Sequence, residues 1–160
     1  MRITASNGNQ NYLLEKDGKE VFKFFYNRWE NRTIVNFHDQ GIEIRKKESL
    51  GSGEDIFKNG EPAGWMEWRW IGLPKIHLYD EQNQKRRFEI LSKGLFYKQF
   101  TLRSLDRNED LFSLLRRSKW YAYNYVFDVD RHTHGMSETD TEELVIYALH
   151  VANCMIHSAA

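Results

Sequence analysis

The sequence predicts a mostly β protein, a closed antiparallel barrel of about 12 strands enclosing a hydrophobic C-terminal helix. Three observations carry this expectation. Polar turn signals at Asp17-Gly18, Asp39-Gln40-Gly41, Asn59-Gly60, Asp80 to Asn83 and Asp106-Arg107-Asn108 recur at intervals of 22, 20, 21 and 26 residues. The runs between them alternate with the period of two that half-buried strands show. Leu144 to Ile156 is apolar nearly all round, interrupted only by His150 and Asn153, and a helix of that kind is buried on every side.

A short strand around Arg2 to Ala5 opens the chain. Val21 to Tyr26, Thr33 to His38, Ile42 to Arg45, Met66 to Trp70, Ile76 to Tyr79, Phe88 to Leu91 and Phe100 to Arg103 supply strands paired across the turns. Lys119 to Asp130 is the last strand, with Tyr121, Tyr123, Tyr125, Phe127 and Val129 on one face. The hairpins share no matching residues, so the cadence is topology rather than a repeat. The loop Glu48 to Gly53 is too short to separate domains, and residues 1–160 read as one domain with strands over about 2–130 and the helix over about 138–157. Ser137 is the N-cap, followed by Asp140, Glu142 and Glu143 in the positive first turns.

The apolar run of the helix is about 20 Å long, short of a hydrocarbon core of about 30 Å, so its surroundings are protein. Strands about 4.8 Å apart and tilted about 40° put a twelve-stranded wall roughly 12 Å from its axis and an eight-stranded one about 8 Å. A helix of radius about 5 to 6 Å, with inward side chains of the wall, needs about 11 Å. Only the larger wall fits.

The chain has 160 residues, and 23 Lys and Arg balance 23 Asp and Glu. That balance argues against a nucleic-acid partner, which draws a basic excess, while leaving room for local basic patches. One cysteine excludes a disulfide framework and a zinc cage built of cysteines, and fits a reducing cytoplasm. No run reaches the roughly 18 apolar residues of a transmembrane segment, and the first residues lack the apolar core of a secretory signal. A cytoplasmic protein, peripheral wherever it meets a membrane, is expected. G-x-S-x-G, phosphate-loop and H-E-x-x-H signatures are absent, so no catalytic residue, enzyme activity or cofactor is assigned.

After the hairpin cadence comes Leu114-Leu115-Arg116-Arg117-Ser118-Lys119-Trp120-Tyr121-Ala122-Tyr123-Asn124-Tyr125-Val126-Phe127-Asp128, and then acidic residues and the hydrophobic helix. This order resembles the tubby C-terminal-like superfamily, which includes tubby-like proteins, LURP-one-related proteins and phospholipid scramblases. The resemblance spans nearly the whole chain and rests on pattern, since the family has no short catalytic signature. It implies a twelve-stranded barrel around a central helix, binding of phosphoinositide headgroups through basic surface residues, and association with membranes.

Three basic clusters are the candidate ligand-binding residues: Arg45, Lys46 and Lys47; Lys85 and Arg87, with Arg86 on the other face of the strand; and Arg116, Arg117 and Lys119. Converging at one barrel end they would hold a phosphorylated headgroup or an anionic lipid surface; otherwise they are solvated strand ends. The expected function is a non-enzymatic binding module for a phosphoinositide or anionic phospholipid, or for a protein partner. The alternative is a metal-dependent or hydrolytic enzyme using Asp128, Asp130, His132 and His134, which an extended chain places on one side.

Met66, Trp68 and Trp70 read as an interior face, whereas Trp65 and Trp29 are either packed or exposed for an interface. His150 and Asn153 share a helix face and need buried partners, and Cys154 reads as a small core residue with no activating cation beside it.

Overall fold

A computed structural model describes residues 2–6, 11–27, 29–47, 53–68, 72–94, 97–117 and 126–158. Among these are twelve strands: β1 (Arg2–Ser6), β2 (Asn11–Lys16), β3 (Lys19–Asn27), β4 (Arg32–Phe37), β5 (Gln40–Lys46), β6 (Gly53–Lys58), β7 (Glu61–Glu67), β8 (Lys75–Tyr79), β9 (Lys85–Lys93), β10 (Gln99–Ser104), β11 (Glu109–Arg116) and β12 (Val126–Arg131). One helix follows, α1 (Glu138–Ser158). The protein is mostly β, a single antiparallel sheet in which neighbours in sequence are neighbours in space. β1 pairs with β2 and also with β12, through Arg2↔Asp128, Ile3↔Phe127 and Thr4↔Val126.

Antiparallel order gives the sheet two chemically different ends. At one, the turn end, β2–β3, β4–β5 and β6–β7 are joined by Asp17-Gly18, His38-Asp39 and Asn59-Gly60. Both residues of each pair have positive φ, between 43° and 80°, as two-residue hairpins require. At the other, the loop end, lie the longest connections, Lys46 to Gly53, Glu67 to Lys75 and Arg116 to Val126. The turn signals in the sequence therefore all mark one end.

Alternate strand residues point into the core: Tyr12 and Leu14 on β2, Phe22 and Phe24 on β3, Val35 and Phe37 on β4, Ile42 and Ile44 on β5. They pack on α1, whose residues from Leu144 to Asn153 are all buried. At 21 residues the helix is about 31 Å long. Ser137 caps it, with its Oγ accepting from the Asp140 amide at 3.1 Å. The first turns are fastened at the turn end by ion pairs of Glu138 with Lys16 on β2 and Glu143 with Lys58 on β6. Glu142 joins them, 3.1 Å from His38 Nε2.

Two strands depart from the sequence expectation. β7 runs from Glu61 to Glu67 and not from Met66 to Trp70. Pro62 and Gly64 hide it, because both ordinarily weaken a strand; Pro62 pairs with Phe57 beside a bulge and precedes the Gly64 to Glu67 stretch that pairs with β8. β12 is described from Val126, and the earlier part of the expected Lys119 to Asp130 strand lies outside the described residues. Gly64 is required by contact, since a Cβ there would lie 2.0 Å from the His77 carbonyl oxygen across the β7–β8 pair. Gly64→Ala is expected to lower stability in urea melts by about 1 to 3 kcal/mol. Gly41→Ala, whose Cβ would meet nothing nearer than Asn59 Oδ1 at 3.8 Å, should change it by less.

Candidate functional site

The two ends divide the charges of a neutral chain. The loop end carries Arg32, Lys46, Lys47, Lys75, Lys93, Lys98, Arg116 and Arg117 against Glu30, Glu54, Glu67 and Asp128, among the described residues. The turn end carries Asp17, Asp39, Glu61, Asp80, Glu81, Asp106 and Glu109, and the helix start adds Glu138, Asp140, Glu142 and Glu143. Lys16, Lys19, Lys58, Lys85, Arg86, Arg87, Arg107 and Arg131 only partly offset them. The loop end is a basic surface and the turn end an acidic one. Hollows of about 620, 560 and 440 Å³ open at the turn end, each with two or more acidic side chains in its lining.

Trp29 stands at the loop end, between β3 and β4, and is 97% exposed. Its turn is built: Asn27 Oδ1 accepts from the amides of Trp29 at 3.0 Å and Glu30 at 3.3 Å, and Tyr26 Oη donates to Asn31 Oδ1 at 3.0 Å. Phe25 and Ile34, directly paired on the outer face of the same hairpin, are also exposed. Apolar surface thus adjoins Arg32, and the register that pairs Arg32 with Arg45 brings the β5 cluster beside it.

The three expected basic clusters do not meet at one place. Arg45, Lys46 and Lys47 lie at the loop end of β5; Arg116 and Arg117 lie at the same end of β11, six places away in the strand order. Lys85 and Arg87 begin β9 at the turn end. The three do not converge, because antiparallel order places β9's start opposite the ends of β5 and β11. Both turn-end cations are also engaged: Lys85 Nζ sits 4.7 Å from the Trp65 ring centre, and Arg87 Nε is 3.0 Å from Asp106 Oδ1. Burial resists the charge on Asp106, but hydrogen bonds from Arg87 lower its pKa overall. Arg45 stacks over Phe57 at 4.2 Å, and Arg117 pairs with Asp128. Lys119 lies outside the described residues.

Trp65 is packed, stacked on His77 at 4.5 Å beneath Lys85. Trp68 turns inward as its alternation predicts, and Trp70 is outside the described residues.

Asp128, Asp130, His132 and His134 do not assemble as ligands. Asp128 is held by Arg117, Asp130 and His134 are exposed, and His132 leaves the strand to place its Nε2 2.8 Å from Ser113 Oγ. Ser113 is fully buried and also contacts Thr101 Oγ1 at 2.8 Å and Gln99 Nε2 at 3.2 Å.

A second polar group lies where the sequence offered only half of it. His150 is fully buried, with Nε2 2.7 Å from Glu54 Oε2 and Nδ1 2.9 Å from Thr33 Oγ1. Trp68 Nε1 donates to the same Glu54 oxygen at 3.1 Å, and Tyr12 Oη donates to Asn153 Oδ1 at 2.9 Å. The helix is thereby fastened to β2, β4 and β6 at its loop-end half. Cys154 Sγ is 3.7 Å from His150 Nε2, which corrects its reading as a residue with no cation beside it. Glu54 was missed although it shares the inward phase of Ile56 on β6; an acid in an interior position is the signal that pointed to a buried partner.

Burial disfavours the charge on His150, but Cys154 and Glu54 more than offset this and raise its pKa from 6.5 to about 10. Burial likewise opposes the charge on Glu54, and His150 and Trp68 bring its pKa below the usual 4.5. A raised histidine stabilises the fold fully below its unfolded pKa and loses that contribution as pH rises. In chelator-containing buffer, urea-melt stability should decline between about pH 6.5 and about 10, and Glu54→Gln should shrink that decline.

Comparisons of the chain with protein-family models, curated proteins and solved structures find no match.

Proposed function

We propose that the protein is a non-enzymatic module that docks its loop end on an anionic phospholipid surface. The observation that carries this is Trp29, held out in solvent by a hydrogen-bonded turn on the basic end of a chain with no net charge. An exposed tryptophan is suited to the membrane interface, where its ring meets both apolar and polar surroundings. Phe25 and Ile34 extend the apolar contact, and Lys46 and Lys47 supply positive charge toward the headgroups, while Arg32 is paired with Glu43. Each basic residue near an anionic surface contributes about 1 kcal/mol, so docking is additive and reversible. Lys85 and Arg87 take no part.

The sheet, in this reading, is a closed barrel of twelve strands around α1, which the pairing of β1 with β12 supports. That architecture accords with the resemblance to the tubby C-terminal-like superfamily, whose members bind phosphoinositide headgroups. The setting would be cytoplasmic and peripheral.

Flotation with phosphatidylcholine vesicles, with and without phosphatidylserine or a phosphoinositide, tests the proposal. The full chain should float with anionic vesicles only and release as salt is raised. Trp29→Ala, and Lys46→Glu with Lys47→Glu, should each weaken binding several-fold, while Lys85→Glu leaves it unchanged. Absence of flotation, or equal flotation with neutral vesicles, would overturn it. Binding to a protein with none to vesicles would assign the same surface to a protein partner instead.

A further inference from the structure

We propose that Glu54, His150 and Cys154 form a site for a zinc-type divalent cation inside the molecule, at the loop-end half of α1. Each offers one donor atom, and the donors lie within 4.8 Å of one another. His150 and Cys154 are one helical turn apart on the same face, and Glu54 reaches them from β6.

The arrangement around the imidazole distinguishes a metal site from a proton relay. A thiol activated through histidine by a carboxylate needs both ring nitrogens, one toward the nucleophile and one toward the acid. Here the Glu54 oxygen, at 2.7 Å, and the Cys154 sulfur, at 3.7 Å, both face Nε2, while Nδ1 is taken by Thr33 at 2.9 Å. Donors gathered about one nitrogen, with the other nitrogen anchored, match the way metal-binding histidines are oriented by their outer partners. Trp68 orients the carboxylate in the same manner.

The donor set of carboxylate, imidazole and thiolate suits zinc, a borderline-soft ion. Charge balance favours the ion as well. A dication held by a carboxylate, a thiolate and a neutral imidazole is neutral overall, so it leaves no uncompensated buried charge. Cys154 is only half-buried, which provides a route in. Three protein donors leave a coordination position for water or another ligand.

The test uses the full chain, loaded with zinc or cobalt and desalted. About one zinc per chain should be retained, and cobalt should give the intense near-ultraviolet thiolate-to-metal band of a cysteine ligand. Cys154→Ser should abolish that band. Thr33→Val, which removes only the outer partner of His150, should weaken zinc binding roughly 10- to 100-fold with the circular dichroism unchanged. His132→Ala with His134→Ala should retain the metal. Folded wild-type protein that keeps no zinc and shows no cobalt–thiolate band would overturn the proposal and leave a buried ion pair. Metal lost with His132 and His134, and kept in Cys154→Ser, would overturn it too.

Discussion

From Leu144 to Ala152 the helix buries every side chain, so no rotation about its axis turns a polar face to water. Apart from the partners of His150, its surroundings must therefore be apolar, and the inward-facing strand residues supply apolar contacts. This requirement fixes the phase of each strand, because a slip of one residue would exchange the apolar row for the charged one. Glu43 beside Ile42 and Ile44, or Glu89 beside Phe88 and Ile90, shows what such a slip would bury.

An apolar cylinder in an apolar lining is free to slide and rotate, and polar contacts remove that freedom. At the turn end the acidic first turns of α1 meet Lys16, His38 and Lys58. At the loop-end half, His150 meets Thr33 and Glu54, and Asn153 meets Tyr12. Because an unpaired buried polar group is costly, these partners select one register of helix against sheet. The acidic turn end also complements the positive end of the helix dipole, so the same charges that fasten the helix separate the molecule into an acidic and a basic end.

Period-two alternation and the apolar helix made the strands and α1 legible in the sequence, down to Ser137 as the cap. β7 escaped because Pro62 and Gly64 look like breakers and become tolerable only through a bulge and a close approach to β8, both of which need the neighbouring strands. The basic clusters were visible as clusters, but their positions depend on strand direction: Lys85 and Arg87 resemble Lys46 and Lys47 in sequence and lie at the other end of the sheet. Trp29 could be noticed and not assigned, since exposure is a property of the turn that Asn27 organises. Glu54 and His150 are 96 residues apart, and no local pattern joins them.

The loop end has the longest connections, and it holds the exposed tryptophan and an excess of basic residues. In the proposed barrel, such a division, with one end closed by turns and the other available for contact, follows from the helix being enclosed rather than laid on the sheet. Native-state hydrogen exchange of the Leu144 to Ala152 amides measures this directly. Enclosure predicts that they exchange only through global unfolding, with an opening free energy equal to that from urea melts. Exchange of these amides at a lower opening free energy than those of the β4 and β5 ladder would contradict it.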